Sequence, residues 1–296
     1  MAQQNASQIA EWNGSGADRW IANQARLDAM RAVFGQAAIE AAAPQKGEHV
    51  LDVGCGAGTT TAALAALVGA AGRVLGVDVS APLIEQARMM IHQGATAQFQ
   101  VADASSGELP EGTFDILFSR FGVMFFDDPE GAFTHLRRAL RPGGRVAFAC
   151  WRGATENEWV RLPMEAIKGL IPSTAPPDSK MPAPFSFGDR ELVAHILTTA
   201  GFTEITFAPL DASIPFGHGE TREAAIDDAV QLALEAGPLA RVLAEQPDDI
   251  RARASAAVRA AFAGLPIERS VMTNGAAWIV TARNPHHSPQ EVQHHG

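Results

Sequence analysis

The sequence predicts an α/β fold, a doubly wound and mostly parallel seven-stranded sheet with N-terminal helices and a helical cap inserted before the last strand. Three observations carry that reading. Short apolar runs alternate with helical stretches about four times between residues 50 and 150, the rhythm of parallel βαβ units. The first unit turns on glycines, in the stretch VLDVGCGAG from Val50 to Gly58. The first three strands each end in a Gly-rich or acidic element, at the edge where open parallel sheets bind ligands.

In chain order, Ser15 and Asp18 form a weak capping box ahead of a helix expected from Asp18 to Ala42, with Trp20, Leu27, Met30, Phe34 and Ala38 near one face. That helix packs on the sheet or serves as a flap, with Trp12 and Trp20 as flat apolar surface over a ligand. Strand Val50–Val53 follows, then the glycine turn and an Ala/Leu-rich helix. A second strand after Gly72 ends in Asp78; Pro82 opens a helix that stops at Gly94; a third strand, Ala97–Asp103, ends in a second carboxylate. The fourth strand is expected over Thr113–Ser119. Pro129 starts a helix with Phe133, Leu136 and Leu140 buried, and the turn Pro142–Gly144 leads into a fifth strand, Arg145–Cys150.

Beyond Trp151 the rhythm changes. A helix is expected over Glu158–Leu170, then a loop with Pro172, Pro176, Pro177, Pro182 and Pro184, then a helix from Asp189 to Ala200 with Leu192, Val193, Ile196 and Leu197 on its apolar face. Gly201 caps it and a sixth strand runs over Phe202–Ala212. The last strand is expected over Ala276–Asn284. The organisation is therefore an N-terminal helical segment or flap (1–44), a ligand-binding core (45–152), an insertion and continuation of the core (153–214), a helical cap (215–274), a last core strand (275–284) and a disordered tail (285–296). An insertion as long as 215–274 suggests a cap over the site.

Composition excludes several classes. A net charge of −10, with 23 scattered Lys and Arg, argues against a nucleic-acid partner. No apolar run is long enough to span a membrane, and the first residues lack the pattern of a secretory signal. Cys55 and Cys150 fall in no metal-ligand spacing, so a cytoplasmic protein with reduced thiols and no metal is expected.

The turn itself narrows the ligand. A dinucleotide fingerprint needs glycine at its first, third and sixth positions, and here the sixth is Thr59 while glycine sits at the fifth, Gly58. No Gly-Lys-Ser/Thr follows, which excludes a Walker A loop. Asp78 lies about 20 residues beyond the turn, where an acidic strand end meets ribose hydroxyls.

Asp52 to Gly58, Asp78, Asp103-Ala104 and the Arg141-Pro-Gly-Gly144 turn together resemble the class I S-adenosylmethionine-dependent methyltransferases. The resemblance covers residues 45 to 150 and points to the bacterial small-molecule group related to the ubiquinone and menaquinone C-methyltransferases. It implies a Rossmann-like sheet and S-adenosylmethionine as cofactor, with S-adenosylhomocysteine as product. Gly54, Cys55, Gly56 and Thr59 would border its methionine and ribose portion, and Asp52 would orient the turn or the ammonium group. Asp78 would accept both ribose hydroxyls with Val79 beside it, Asp103 the adenine amine, with Ala104 offering its amide. Ser119 and Arg120 would lie near the methionine end, Arg120 as a candidate catalytic group, and Trp20 would cover the cofactor.

Methyl transfer from a sulfonium is an in-line displacement, so alignment, worth about 7 to 11 kcal/mol, outweighs a general base, worth about two to four decades in rate. His218, after the sixth strand, is the candidate base; His135 and His195 read as structural. The acceptor walls are apolar: Phe121, Met124, Phe125 and Phe126 after the fourth strand, Trp151 after the fifth, and Phe185 and Phe187 beyond the proline loop. They suit a small, partly hydrophobic metabolite methylated on O, N or C, with the protein a monomer or homodimer. A protein of the same fold that binds the cofactor as a regulator, or uses it for rearrangement or cyclisation, is the alternative.

Overall fold

Seven strands form one sheet in the order β3-β2-β1-β4-β5-β7-β6: β1 (His49–Val53), β2 (Arg73–Asp78), β3 (Ala97–Val101), β4 (Phe114–Arg120), β5 (Leu140–Trp151), β6 (Thr203–His218) and β7 (Ser270–Arg283). The computed structural model describes residues 5–90, 96–171 and 182–286. β1 to β5 pair in parallel, and β7 is antiparallel to both β5 and β6. The chain winds outward from β1 to β3 and then crosses back to place β4 on the other side of β1. That crossing opens a crevice at the carboxyl ends of β1 and β4, the topological switch point.

Helices α1 (Ala6–Trp12), α2 (Ser15–Ala22) and α3 (Gln24–Ala42) precede the sheet. Helices α4 (Thr59–Val68), α5 (Ala81–Met90) and α6 (Pro129–Ala139) link the parallel strands, followed by α7 (Glu158–Ala166) and α8 (Arg190–Thr199). Central strands are buried on both faces, which is why β1, β4 and β5 read as apolar runs rather than alternating ones. Phe34, Phe118, Phe133, Phe148, Leu51, Ile116 and Leu117 fill the core between the sheet and its helices.

The single helix expected from Asp18 to Ala42 is two, broken at Asn23. Its side-chain amide donates back to Arg19 O and across to Glu235, while its Oδ1 accepts from Arg26, so the side chain competes with the helical ladder. Ser15 is the first residue of α2 and not its cap; Gly14 holds that place with no side-chain bond. The helix expected to Leu170 ends at Ala166. The glycines at Gly143 and Gly144 fall inside the span of β5, where its register against β4 shifts.

The sixth and last strands are longer than expected. β5 pairs with β7 only as far as Trp151 opposite Ala277, whereas β6 and β7 continue together from Asp211–Ala276 to His218–Ser270. The two strands thus project past the sheet as a ribbon. Pro215 and Gly217 sit at a register shift that the ribbon tolerates. The ribbon carries α9 (Arg222–Glu235), α10 (Pro238–Leu243) and α11 (Asp248–Ala263), whose apolar faces pack with Phe216, Phe262 and Trp159. The helix toward Gly94, the start of the proline loop and the tail fall partly outside the described residues.

Candidate active site

Two turns make the floor of the crevice. After β1 the chain needs left-handed backbone at Gly54 (φ +68°) and Gly56 (φ +54°). A Cβ on Gly54 would stand 2.8 Å from Gly122 Cα, so the turns after β1 and β4 touch through two glycines. A Cβ on Gly56 would meet nothing within 4 Å, because Gly56 faces the open crevice. Ser119 is fully buried and ties the turns together: its Oγ donates to Val53 O (2.7 Å) and accepts from Gly122 N (3.2 Å). Phe121 follows with φ +60°, a costly conformation for an aromatic, held by stacking on Trp151 at 4.1 Å between centroids.

Asp52 works beneath the floor. Its Oδ2 accepts from Thr60 Oγ1 (2.8 Å) and Thr61 Oγ1 (2.7 Å) at the start of α4, and Oδ1 has no partner among the described residues. Burial pushes its pKa up to about 6, against the lowering effect of the two hydroxyls. Burial likewise raises the Cys55 thiol, with Asp78 and Asp52 adding to it, so this cysteine stays protonated.

The strand-end carboxylates define the far wall. Asp78, which lines the crevice, accepts from Gly56 N through Oδ2 (2.8 Å) and from Ser80 N through Oδ1 (2.9 Å), and each oxygen has capacity for a further donor. Its pKa is raised by desolvation, against the lowering effect of those amides. Asp103 accepts from Ser105 N and from Asn5 Nδ2, both at 2.9 Å through Oδ1, and from Ser106 Oγ (3.2 Å) through Oδ2. Opposite them α3 presents Asp28, Arg31 and Gly35 on one face. Arg120 Nη2 reaches Asp28 Oδ1 (2.5 Å), Thr59 Oγ1 donates to Asp28 Oδ2 (2.8 Å), and Gly35 leaves the space in which Arg120 lies.

The roof is α1 and α2. Asn5 pins one end to Asp103, Ser105 and Asp127. Asn13 pins the other, donating to Val79 O (2.8 Å) and accepting from Ala81 N (3.0 Å). Between the pins, Trp12 packs edge-on against Trp20 at 5.6 Å and Phe125 at 5.8 Å. The crevice so enclosed, open mouth included, measures about 940 Å³.

Residues 50–144, which contain both turns and both strand-end carboxylates, match the family model for a methyltransferase domain. Over this stretch the chain is similar to methyltransferase domains. Among relatives, it is 34% identical over 117 residues to an aklanonic acid methyltransferase of Streptomyces sp. strain C5, covering 39% of this chain and 53% of the relative. It is 29% identical over 200 residues to a ubiquinone/menaquinone C-methyltransferase of Rubrivivax gelatinosus, covering 64% and 77%. The chain spans between 39% and 61% of the length of three of the curated relatives it matches. The fold is shared with the YcgJ protein of Bacillus subtilis (TM-score 0.53, 16% identity, 86% and 98% covered). It is also shared with a Haemonchus contortus phosphoethanolamine N-methyltransferase in complex with S-adenosyl-L-methionine (TM-score 0.51, 18% identity, 85% and 52% covered).

Of the residues expected at the ligand, Trp20, Gly54, Cys55, Gly56, Thr59, Asp78, Val79, Asp103, Ala104, Arg120, Phe121, Phe125 and Phe126 line the crevice. Seven residues expected at the ligand do not. Asp52 and Ser119 hold the two turns from below. Met124 and Trp151 are core, Trp151 packing with Phe34, Phe121 and Trp159. His218 is exposed on the ribbon, its N–H on Asp228 Oδ2 and its Nδ1 at 3.1 Å from Ser270 Oγ, so it is not placed to act as a base in this crevice. Phe185 and Phe187 pack toward Trp159 and Phe133 rather than the crevice. The cap helices contribute no lining residue either; the roof is the N-terminal segment. Asp28 and Arg31 were missed, although their i, i+3 spacing with Gly35 one turn on marks a polar stripe beside the apolar face of α3.

Proposed function

We propose that the protein binds S-adenosylmethionine in this crevice and transfers its methyl group to O, N or C of a small, partly hydrophobic metabolite. The observation that carries the reading is Asp78: it lines the crevice, and each of its oxygens accepts one backbone amide and has capacity for a further donor, which suits a vicinal diol. The residues fit the cofactor elsewhere as well. Gly56 leaves open the space that any Cβ would fill, and Asp103 and Ala104 line the same crevice, where they would receive the adenine. When bound, S-adenosylmethionine supplies a methyl carbon activated by a sulfonium.

The chain's own part is positioning. Asp78 and the turn at Gly54 to Gly56 fix one end of the cofactor, and Trp12, Trp20, Phe121 and Phe125 exclude water and line the approach of an apolar acceptor. No histidine among the described residues lines the crevice, and in this reading alignment carries the rate. The acidic net charge of −10 supports a small-molecule acceptor over nucleic acid. No helix among the described residues is long and apolar enough to cross a membrane.

The test is turnover with methyl-labelled cofactor on a panel of phenols, quinols, amines and polyketide acids. Formation of S-adenosylhomocysteine with label in an acceptor supports the reading. Tight cofactor binding with no label transferred across the panel favours the non-methylating alternative.

A further inference from the structure

An asparagine stands at each joint of the roof: Asn5 before α1, Asn13 between α1 and α2, and Asn23 between α2 and α3. The first two tie the roof to the sheet side of the crevice, through Asp103 and Val79. The third ties it to the cap. Asn23 is 3% exposed and takes a non-helical backbone (φ −112°, ψ 12°), the kind of position at which two helices can swing against each other. Its Nδ2 donates to Glu235 Oε2 at the end of α9 (3.2 Å), and its Oδ1 accepts from Arg26 Nη1 (2.8 Å). Arg26 Nη2 donates in turn to Asp228 Oδ1 (2.6 Å), about two turns back along α9 from Glu235. Asp228 is itself held, because its Oδ2 accepts from His218 N on the ribbon (2.8 Å).

The cap side of this joint has little freedom, since α9 lies directly on the ribbon. A Cβ on Gly217 would stand 2.4 Å from Ala225 O, and one on Gly219 2.5 Å from Ala225 N. Asn23, Arg26, Asp228 and Glu235 lie outside the lining of the crevice, whereas Trp20, about one turn before the joint, is part of it. Asn23 Nδ2 also donates to Arg19 O (3.0 Å), so a shift of the joint moves the turn of α2 that bears Trp20.

We propose that Arg26 and Asp228 are positioning residues for Trp20: through Asn23, the cap sets the angle at which α2 presents the indole to the bound cofactor. This rests on the cofactor reading above and adds to it a role for the cap, which contributes no lining residue. The arginine fork suits the task, because one Nη holds the joint while the other holds α9.

The experiment is a double-mutant cycle read by stopped-flow dissociation of S-adenosylhomocysteine from wild type, Arg26→Met, Trp20→Ala and the double variant. Arg26→Met is expected to speed dissociation by roughly 2- to 30-fold, the range for couplings carried by residues that do not touch the ligand, and to have no such effect in the Trp20→Ala background. Arg26→Lys, which keeps the charge and gives up the fork, recovers part of the loss. A purely structural role would accelerate dissociation equally in both backgrounds. That result, or an unchanged rate in Arg26→Met, overturns the assignment. Glu235→Ala, which removes the acceptor of Asn23 from α9, carries the same cycle if Arg26→Met does not fold. Hydrogen exchange of the free protein separates this claim from the cofactor reading: Arg26→Met is expected to speed exchange of the α2 amides and leave α9 and β1 to β5 unchanged. A wild type that binds no S-adenosylhomocysteine overturns the cofactor reading, while faster exchange confined to α2 still supports the joint. Unchanged exchange in α2 overturns the joint whatever binds.

Discussion

Replacing Gly56 by alanine separates the role of the turn in folding from its role in binding. Gly56 has φ +54°, so an alanine there pays about 1–2 kcal/mol for left-handed backbone, which lowers Tm by a few degrees. Its methyl meets no protein atom within 4 Å, and therefore no steric penalty is added to the fold. The methyl instead enters the volume assigned to the cofactor, where overpacking costs about 1–3 kcal/mol, or roughly 5- to 150-fold in affinity. Gly112 is the matched control. It has φ +56° and equally open surroundings, but sits before β4 at the opposite edge of the sheet. Thermal melts and titration with S-adenosylhomocysteine would be run on both variants. Similar losses of Tm are expected, with affinity reduced only in Gly56→Ala. Unchanged affinity in Gly56→Ala, or equal losses in both, refutes the assignment of this turn as the cofactor cradle.

Two further outcomes follow from the same geometry. Asp52 has its pKa pushed up to about 6, so its contribution to stability is full below the ordinary carboxylate range and is lost as pH rises through 6. Holding it ionised at neutral pH costs about 3 kcal/mol. Asp78 shifts in the same direction, whereas Glu48, held low by Arg145 despite its partial burial, works in the opposite one. Asp52→Asn is therefore expected to raise Tm above pH 7 and to flatten the melting profile between pH 5 and 7; an equal drop in Tm at pH 5 and pH 8 would contradict this. Asn13→Ala removes both hydrogen bonds that pin the roof to Val79 and Ala81. At about 1 kcal/mol for each bond, stopped-flow dissociation of S-adenosylhomocysteine should speed up by roughly 5- to 30-fold with little change in Tm, and an unchanged rate would mean that the roof does not gate the crevice.

The strands and strand-end carboxylates were legible because parallel βαβ units leave a local record: an apolar run, a glycine or acid, then a helix. Asp78, Asp103 and the glycine turn are all read from residues adjacent in the chain. What failed was long-range. Met124 and Trp151 lie next to lining residues in sequence, yet Phe121 turns left-handed and stacks over Trp151, so one ring faces the crevice and the other is sealed beneath it. His218 stands on a ribbon that continues past the sheet because β7 supplies a partner, a pairing invisible in a segment marked by Pro215 and Gly217. Both an N-terminal flap carrying Trp12 and Trp20 and a helical cap were expected over the site; the cap helices bury their apolar faces on the ribbon, and the N-terminal segment with Asn5, Trp12 and Asn13 covers the crevice.

The claim at the centre of this account is that the crevice between the ends of β1 and β4 holds S-adenosylmethionine and not a dinucleotide. Calorimetric titration of the full chain with S-adenosylhomocysteine and, separately, with NAD tests it most directly. Saturable one-to-one binding of S-adenosylhomocysteine, undiminished by excess NAD, is the expected result. Binding of NAD with none of S-adenosylhomocysteine would contradict it.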